Sequence, residues 1–293
     1  MQQITPHLWF DTQAKEAAEL YTSLFENSEV TDVTTLRDTP SGDCDVVSFT
    51  LAGQPFQAIS AGPLFTFTPS ISFRVDCATK DEVDELWNRL ITDGQALMPL
   101  DSYPWSQRYG WPQDRFGLSW QLMYTEGDIP QKIVPQLMFV GDVAGKAEEA
   151  IRFYASVFEN SAVSDIMRYG PNEGPNDENA VQFASFTLDG YHLSAMDSAE
   201  AHNFGFNEAI SLIVPCETQA EIDRYWDRMS AVPESEQCGW LKDRFGVSWQ
   251  IVSAALDDMM RKADDETLAR VTRAFLAMKK FDLAELEKAY AGR

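Results

Sequence analysis

An internal repeat constrains the possible fold of this chain more than any other feature. The segment YGWPQDRFGLSWQL, which begins at Tyr109, recurs as CGWLKDRFGVSWQI at Cys238, with nine of the fourteen positions identical. The opening ITPHLWF at Ile4 recurs as IVPQLMF at Ile133, separated by the same number of residues. Because self-similarity at a fixed offset is the signature of a repeated architecture, most of the chain consists of two copies of one structural unit.

Two insertions distinguish the copies. Copy one carries an extra stretch at Met98 to Arg108, and copy two carries an extra acidic, glycine-rich loop at Pro171 to Asn179. Insertions of this kind are tolerated best on surface loops, so we place both there.

Hydrophobic periodicity within each copy predicts strands and helices in a fixed order. In copy one, Ile4 to Phe10, Val46 to Leu51 and Phe56 to Ala61 have the pattern of strands. Apolar residues at helical spacing from Ala17 to Leu24 predict an amphipathic helix after the first strand. Gly53 lies between the second and third of these strands and predicts a turn.

The second half of each copy begins another unit of the same kind. In copy one, Ile71 to Val75 predicts a strand, and Thr79 to Glu82 has the capping-box pattern that opens a helix. Copy two has the same pattern at Thr218 to Glu221. Each copy is therefore predicted to contain two βαβββ modules.

The ends of the repeat predict two domains and a tail. We place the domains at residues 1–127 and 131–253, joined by a GDIP segment that combines a turn residue with a helix-breaking proline. Residues 254–293 do not repeat. Their apolar residues, from Leu268 to Phe275 and then Leu283 and Leu286, predict two short helices that serve as a packing or capping tail without chemistry of its own.

The charge balance and the cysteines exclude several classes of protein. The chain has 46 acidic and 23 basic residues and a formal net charge of −23, so it would repel nucleic acid and anionic membrane surfaces. No apolar stretch is long enough for a membrane helix, and the N-terminus lacks the pattern of a signal peptide, so we expect a soluble, cytoplasmic protein. The four cysteines form no CxxC pair, which argues against a disulfide framework or a zinc site.

Four motifs together resemble one known family. They are the opening ITPHLWF, the phrase LYTSLFENS, the segment FTFTPSISF and the closing DRFG-x-SWQ. In this order, and recurring in the second copy, they resemble the PhnB-like branch of the vicinal-oxygen-chelate superfamily, which includes glyoxalases and bleomycin-resistance proteins. The resemblance covers residues 1–125 and 131–253.

The resemblance implies an α+β fold in which paired βαβββ modules form curved mixed sheets. The concave face of each sheet would form a cleft for a small organic molecule, often completed by a partner domain. Since the tandem chain resembles a covalent version of a two-domain dimer, we expect either a monomer with pseudo-dimeric domains or a homodimer.

Strand alternation separates core residues from cleft residues, because successive side chains on a strand point to opposite faces. Trp120 and Trp249 share a face with apolar neighbours, so we expect both in the core. Their alternating neighbours should face the cleft, and the same parity applies to the other strands. Together with two strand-end residues and two insertion residues, the candidate cleft residues are His7, Trp9, Ser60, Ser72, Arg74, Tyr103, Trp105, Ser119, Gln121, Gln136, Asp197 and Gln250.

Several of these positions allow a second interpretation. Ser60 and Asp197 occupy matched strand ends, where capping a turn and contacting a ligand are both reasonable. Tyr103 and Trp105 could cover the cleft or pack at a domain junction. The repeated DRFG predicts a hairpin turn, with Gly117 and its counterpart in copy two at positive φ, in preference to a catalytic aspartate.

The positions at which metal-dependent relatives hold imidazole and carboxylate ligands contain a poor ligand set here. By the resemblance they correspond to His7, Ser70 and Gln121 in copy one. In copy two they correspond to Gln136, Ala209 and Gln250. A divalent ion needs several anionic or imidazole donors, so we predict no cofactor, although a divalent metal stays possible.

Two main functions follow. The first is a small-molecule-binding protein without a tightly bound catalytic metal. The alternative is an enzyme of the glyoxalase, isomerase or dioxygenase type that uses a metal or His7 as acid and base. A third possibility is the methyltransferase activity named in labels of this branch, which we disfavour because we find no glycine-rich turn between a first strand and helix for an adenosyl donor.

The cleft residues of the two copies differ in charge. Copy one presents His7 and Arg74 where copy two presents Gln136 and Ile213. We therefore predict that the copy-one cleft is the functional one and binds an acidic ligand through Arg74, because guanidinium groups grip carboxylates through paired hydrogen bonds. The alternative is that Arg74 pairs with an acidic neighbour.

Overall fold

The computed structural model describes residues 4–170, 180–198 and 200–293. The acidic loop predicted at Pro171 to Asn179 lies outside the described residues. Within them, no helix is long and apolar enough to cross a membrane.

The chain forms four consecutive modules followed by a helical tail. Module 1 contains β1 (Thr5–Phe10), α1 (Ala14–Thr22), β2 (Glu29–Thr39), β3 (Gly42–Leu51) and β4 (Gln54–Ser60). Module 2 contains β5 (Ile71–Cys77), α2 (Lys80–Leu90), β6 (Gln95–Tyr103), β7 (Ser106–Gln113) and β8 (Trp120–Tyr124). Module 3 contains β9 (Ile133–Phe139), α3 (Ala147–Val157), β10 (Ala162–Arg168), β11 (Val181–Leu188) and β12 (Tyr191–Asp197). Module 4 contains β13 (Ile210–Cys216), α4 (Gln219–Met229), β14 (Trp240–Lys242) and β15 (Ser248–Ser253).

Local sequence signals explain where these elements begin and end. Thr79 accepts a hydrogen bond from Glu82 N at 3.1 Å at the start of α2. Thr218 and Glu221 form a full capping box at the start of α4, in which each side chain binds the backbone of the other residue. Gly53 turns the chain from β3 to β4 at a φ of 77°, which favours glycine because it has no Cβ.

The strands form two mixed sheets. The first has seven strands in the order β14-β15-β13-β1-β4-β3-β2, and the second has eight in the order β10-β11-β12-β9-β5-β8-β7-β6. β1 is antiparallel to β13 and parallel to β4, whereas β5 is antiparallel to β9 and parallel to β8. The predicted α+β class, with paired modules and a helical tail, is therefore confirmed, but module 4 contains three strands where the sequence predicted four.

The two compact units of the structure each combine modules from both sequence copies. The chain forms two compact units: unit 1 comprises Met1–Thr22, Ser28–Phe65 and Asn207–Arg293, and unit 2 comprises Ser23–Asn27 and Thr66–Phe206. Module 1 thus shares a sheet with module 4, and module 2 shares one with module 3. The predicted boundaries at 1–127 and 131–253 separate the sequence copies, but they do not separate these units, because strand edges join modules from different copies.

The core of each unit lies between its sheet and its helices. In unit 1, α1 packs against β3 and β4, and α4 packs against β13 and β15. In unit 2, α2 packs against β7 and β8, and α3 packs against β10 and β11. Trp120 and Trp249 are fully buried, which confirms that their strand parity faces the core.

The tail forms three helices where the sequence predicted two. They are α5 (Ala254–Lys262), α6 (Asp265–Leu276) and α7 (Leu283–Ala291). α5 follows β15 directly, because the Ser253 hydroxyl accepts a hydrogen bond from Ala255 N at 3.2 Å and caps the helix. The apolar pair Leu256 and Met260, spaced one turn apart, was the signal for this helix that the sequence prediction missed.

Candidate functional site

Unit 1 contains a cavity of about 500 Å³ next to its seven-stranded sheet. Its walls come from the strands of modules 1 and 4 and from the C-terminal tail. Most of the lining side chains are apolar. The lining residues include His7, Trp9, Phe65, Glu208, Glu234, Trp240, Gln250, Leu256, Met260, Phe275, Leu276 and Phe281.

His7 is the titratable cavity residue whose environment differs most from water. It lies on β1 between Gln57 of β4 and Ser211 of β13, and only 3% of its surface is exposed. Burial lowers the pKa of His7 to about 3, because removing an imidazolium from water disfavours the charged form. The ring is therefore neutral at pH 7. Its Nδ1 atom is buried and has no hydrogen-bond partner among the described residues.

Aromatic rings surround this imidazole. Trp240 lies edge-on to His7 with ring centroids 5.2 Å apart, and Trp9 is 6.2 Å from Trp240. Trp9 also contacts Phe65 edge-on at 5.1 Å. Since Trp9 Nε1 donates to Gly62 O at 2.8 Å, the polar atom of this indole is already satisfied and its ring is left for apolar contact.

Gln250 supplies a second polar group. Its Nε2 donates to the Ser211 hydroxyl at 2.9 Å, which fixes the orientation of the amide. Within the described part of the chain, its Oε1 accepts no hydrogen bond. The cavity thus combines a neutral imidazole and an amide carbonyl with apolar walls.

The charged side chains that line the cavity are acidic. Glu208 forms an ion pair with Lys242 at 2.7 Å, and Glu234 is exposed at the surface. No lysine or arginine is among the described lining residues. This arrangement does not favour an anionic ligand.

The predicted combination of His7 with Arg74 is wrong. β1 and β5 belong to different sheets, so the two side chains lie in different compact units. Arg74 Nη2 instead lies 3.0 Å from Asp76 Oδ2, and its guanidinium lies over the Phe183 ring at 5.4 Å. The pairing of Arg74 with an acidic neighbour, which the sequence left as the alternative, is the arrangement in the structure.

The residues of unit 2 that correspond to His7 and Gln250 form hydrogen bonds within that unit. Gln136, the counterpart of His7, accepts from the Ser194 hydroxyl at 3.2 Å and donates to Met196 Sδ at 3.3 Å. Gln121 accepts from the Tyr109 hydroxyl and donates to the Ser72 hydroxyl, both at 2.8 Å. Burial raises the pKa of Tyr109, so its hydroxyl keeps its proton and remains a donor.

Ser60 and Asp197 cap helices. The Ser60 hydroxyl accepts from Ala14 N, the first residue of α1, at 3.1 Å. Asp197 Oδ1 accepts from Gly145 N at 2.8 Å and from Ala147 N at 3.2 Å, and its Oδ2 accepts from Val181 N at 2.8 Å. Of the two interpretations that the sequence left open, capping describes the contacts of both residues.

Tyr103 and Trp105 form an aromatic cluster in unit 2. Their rings stack at 5.0 Å, and each lies edge-on to Tyr109. Trp105 is 56% exposed, and neither ring lines the cavity of unit 1. Ser119, also in unit 2, is buried, and its hydroxyl has no partner among the residues described.

The repeated DRFG segment forms the same buried turn twice. Asp243 Oδ1 accepts from Phe245 N and Val247 N, and its Oδ2 accepts from Trp249 Nε1 at 2.9 Å. Asp114 makes the same three contacts in the other unit, with the Trp120 Nε1 contact at 3.0 Å. Gly117 and Gly246 have φ values of 89°, as the turn prediction requires. These carboxylates therefore hold the turn and the core indole.

The donor atoms around His7 do not fit a divalent metal. Its neighbours in the sheet are an amide, Gln57, and a hydroxyl, Ser211, and Gln250 is another amide. The described residues contain no group of three or more histidine, cysteine, aspartate or glutamate side chains placed to hold an ion.

Comparison with known proteins identifies the family. Residues 2–123 and 131–252 each match the model of the 3-demethylubiquinone-9 3-methyltransferase family. The chain belongs to this family. Both matches end before the C-terminal tail, so α5, α6 and α7 are an addition to the family domain.

Shorter proteins of known structure are similar in sequence to part of this chain. The PhnB protein from Bacillus cereus is 40% identical over 42% of this chain and 100% of its own, with a TM-score of 0.40. A protein from Staphylococcus aureus is 36% identical over 43% of this chain and 98% of its own, with a TM-score of 0.19.

A longer structural relative shares the fold alone. Glyoxalase I from Zea mays is 11% identical over 88% of this chain and 97% of its own, with a TM-score of 0.55. No match was found among curated proteins.

Only some of the residues predicted to form the cleft lie together in the structure. His7, Trp9 and Gln250 line one cavity, whereas Ser72, Arg74, Gln121 and Gln136 lie in the other unit. The sequence analysis missed Trp240, although it pairs with Gln250 across β14 and β15 and shares its face of the sheet. Applying strand parity to the residues before DRFG would have found it.

Proposed function

We propose that the unit 1 cavity binds a small, uncharged organic molecule with an aromatic or otherwise apolar surface. The observation that carries this proposal is the buried, neutral His7, with an unpartnered nitrogen, in a cavity of about 500 Å³ lined mostly by apolar side chains. Ligand pockets of this size combine apolar walls with a few polar groups that fix orientation.

The unpartnered imidazole favours a ligand with a hydroxyl or N–H group. Leaving a buried polar atom without a partner costs about 1–3 kcal/mol, so a ligand that hydrogen-bonds to the ring recovers part of this cost. The Gln250 carbonyl offers a second acceptor. Since the charged lining residues are Glu208 and Glu234, the ligand carries no negative charge.

The same features argue against acid–base catalysis by His7. A general base works best when its pKa lies near the working pH, and burial holds the pKa of His7 at about 3. At pH 7 the ring is a weak proton acceptor. Binding without turnover is therefore the function that this environment supports best.

Methyl transfer, which the family description names, has little support from the backbone. Gly141 and Gly145 do lie between β9 and α3 with positive φ, a glycine-containing turn that the sequence analysis overlooked. However, Gly145 N and Ala147 N both donate to Asp197. The amides that would bind the anionic or polar groups of a donor at this helix end are thus occupied by the protein itself.

Displacement of a neutral fluorescent probe, N-phenyl-1-naphthylamine, tests the binding proposal. We expect 4-ethylphenol to displace it about fivefold more strongly than 4-ethylanisole, because only the phenol donates a hydrogen bond. The His7→Leu variant should lose this preference, and the control His192→Leu, which changes a histidine outside the cavity lining, should keep it. Stronger displacement by 4-ethylbenzoate, or no probe binding at all, would contradict the proposal.

A further inference from the structure

We propose that the C-terminal tail, residues 254–293, selects the ligands of the unit 1 cavity by forming an apolar strap across it. This inference rests on the proposed binding function. It concerns residues that lie beyond the second family match, which ends at residue 252. The selecting wall therefore comes from residues outside the shared domain.

The tail reaches both edges of the seven-stranded sheet. At one edge, next to β14, Cys238 N donates to Met278 O at 2.9 Å and Gly239 N donates to Lys279 O at 2.7 Å. At the other edge, α6 packs against β2. Since β14 and β2 are the outermost strands of this sheet, the segment between these contacts spans the cavity from edge to edge.

Further hydrogen bonds hold the strap in place. Gln237 Nε2 donates to Leu276 O at 2.6 Å. Gln219 donates to Phe281 O at 3.0 Å and accepts from Leu283 N at 2.9 Å. These contacts join the end of α6 and the start of α7 to module 4, so the wall is positioned before a ligand arrives.

A glycine permits this close approach. A Cβ at Gly239 would lie 3.0 Å from the Phe281 ring and 2.9 Å from Ile251 O, and the residue has a φ of 82°. A side chain would therefore push the strap away. The corresponding position in copy one is Gly110, where a Cβ would meet the Trp87 ring instead.

Among the side chains that the structure describes, the tail residues that line the cavity are all apolar. Leu256 and Met260 come from α5, Phe275 and Leu276 come from α6, and Phe281 precedes α7. A polar or charged ligand group against this wall would lose its water without gaining a hydrogen bond. The ligand must therefore place an apolar segment against the strap while its polar group reaches His7 or Gln250.

This arrangement predicts a dependence on ligand length. Each methylene that moves from water to an apolar wall strengthens binding by about fourfold, until the available space is filled. The alkyl chain length beyond which affinity no longer increases therefore indicates the size of the space below the strap. Substitution of Met260, which lines the cavity, should change this limiting chain length. The adjacent Met259 on the same helix does not line the cavity and provides a control.

The experiment measures displacement of N-phenyl-1-naphthylamine by 4-alkylphenols from ethyl to heptyl. In Met260→Trp, we expect 4-ethylphenol affinity within about threefold of wild type and 4-heptylphenol affinity at least tenfold weaker. In Met260→Ala, affinity should continue to increase up to longer alkyl chains than in wild type. Met259→Trp, with thermal melts of all variants as a check on folding, should follow wild type.

The outcomes distinguish the two proposals. If wild type binds the series but both Met260 variants keep its length dependence, the strap proposal is overturned and the binding proposal stands. If wild type binds neither the probe nor any alkylphenol, the binding proposal fails, and the strap proposal fails with it.

Discussion

The indole ring of Trp240 lies edge-on to the imidazole ring of His7, with centroids 5.2 Å apart and ring planes at 90°. Perpendicular contacts of this kind are favoured by the quadrupole of aromatic rings. His7 belongs to the first sequence copy and Trp240 to the second. The cavity is therefore built by both copies, and neither copy alone contains it.

Separating the copies should destroy the cavity and rejoining them should restore it. In a fragment of residues 1–130, β1 keeps β4 but loses β13, and β5 keeps β8 but loses β9. We expect each fragment to self-associate or unfold alone, and residues 1–130 to form a one-to-one complex with residues 131–293. Light scattering after size-exclusion chromatography measures this, and a folded monomeric 1–130 fragment would contradict the module pairing.

The protein should lose stability in mildly acidic solution because of His7. The pKa of this residue is about 3 in the folded protein and about 6.5 in an unfolded chain. Between these values the unfolded chain binds a proton that the folded protein does not, so stability falls as the pH decreases from 6.5 towards 3. At pH 5.0 the loss from this group is about 2 kcal/mol.

Urea unfolding of wild type and His7→Leu at pH 7.5 and pH 5.0 isolates this contribution. The variant should lose less stability than wild type on acidification, by about 2 kcal/mol. His192→Leu serves as the control and should behave as wild type. Equal pH dependence in wild type and His7→Leu would show that the imidazole is accessible to protons.

Removal of either core tryptophan should destabilise the protein strongly. We expect Trp120→Ala and Trp249→Ala each to lower the free energy of unfolding by about 3–5 kcal/mol. Each substitution leaves a large cavity and deprives the buried Asp114 or Asp243 of a hydrogen-bond donor. Trp105→Ala, at a site that is 56% exposed, should cost less than about 1 kcal/mol in the same denaturant experiment.

The two matched strand-end caps should differ in strength. Asp197 is fully buried and accepts backbone hydrogen bonds from Gly145, Ala147 and Val181, whereas Ser60 accepts one from the first residue of α1. We expect Ser60→Ala to cost about 1 kcal/mol and Asp197→Ala to cost at least about 3 kcal/mol. Chemical denaturation measures both, and a smaller loss for Asp197→Ala would show that its contacts contribute little.

Alternation along each strand was sufficient to predict which face of the sheet a side chain lies on, but not which residues that side chain contacts. It placed Trp120 in the core and His7, Trp9 and Gln250 on the opposite face, because alternation along a strand is a local property of the backbone. It could not assign Ser60 and Asp197, because their hydrogen bonds go to the starts of helices that lie 46 to 52 residues earlier in the chain. Nor could it assign the tail, whose Met260 and Phe281 line the same cavity as strand residues that are distant in sequence.

The sequence by itself determined the duplication, the βαβββ modules, the helix caps and the glycine turns, because each depends on residues close together in the chain. Only the tertiary structure decided that module 1 pairs with module 4 and module 2 with module 3. Duplicated modules have similar hydrophobic patterns and similar free strand edges, so a strand such as β1 has more than one suitable partner in the sequence. This pairing of modules places His7 next to Trp240 and in a different unit from Arg74. The sequence did not predict it, because strand pairing is a long-range interaction that alternation along one strand does not specify.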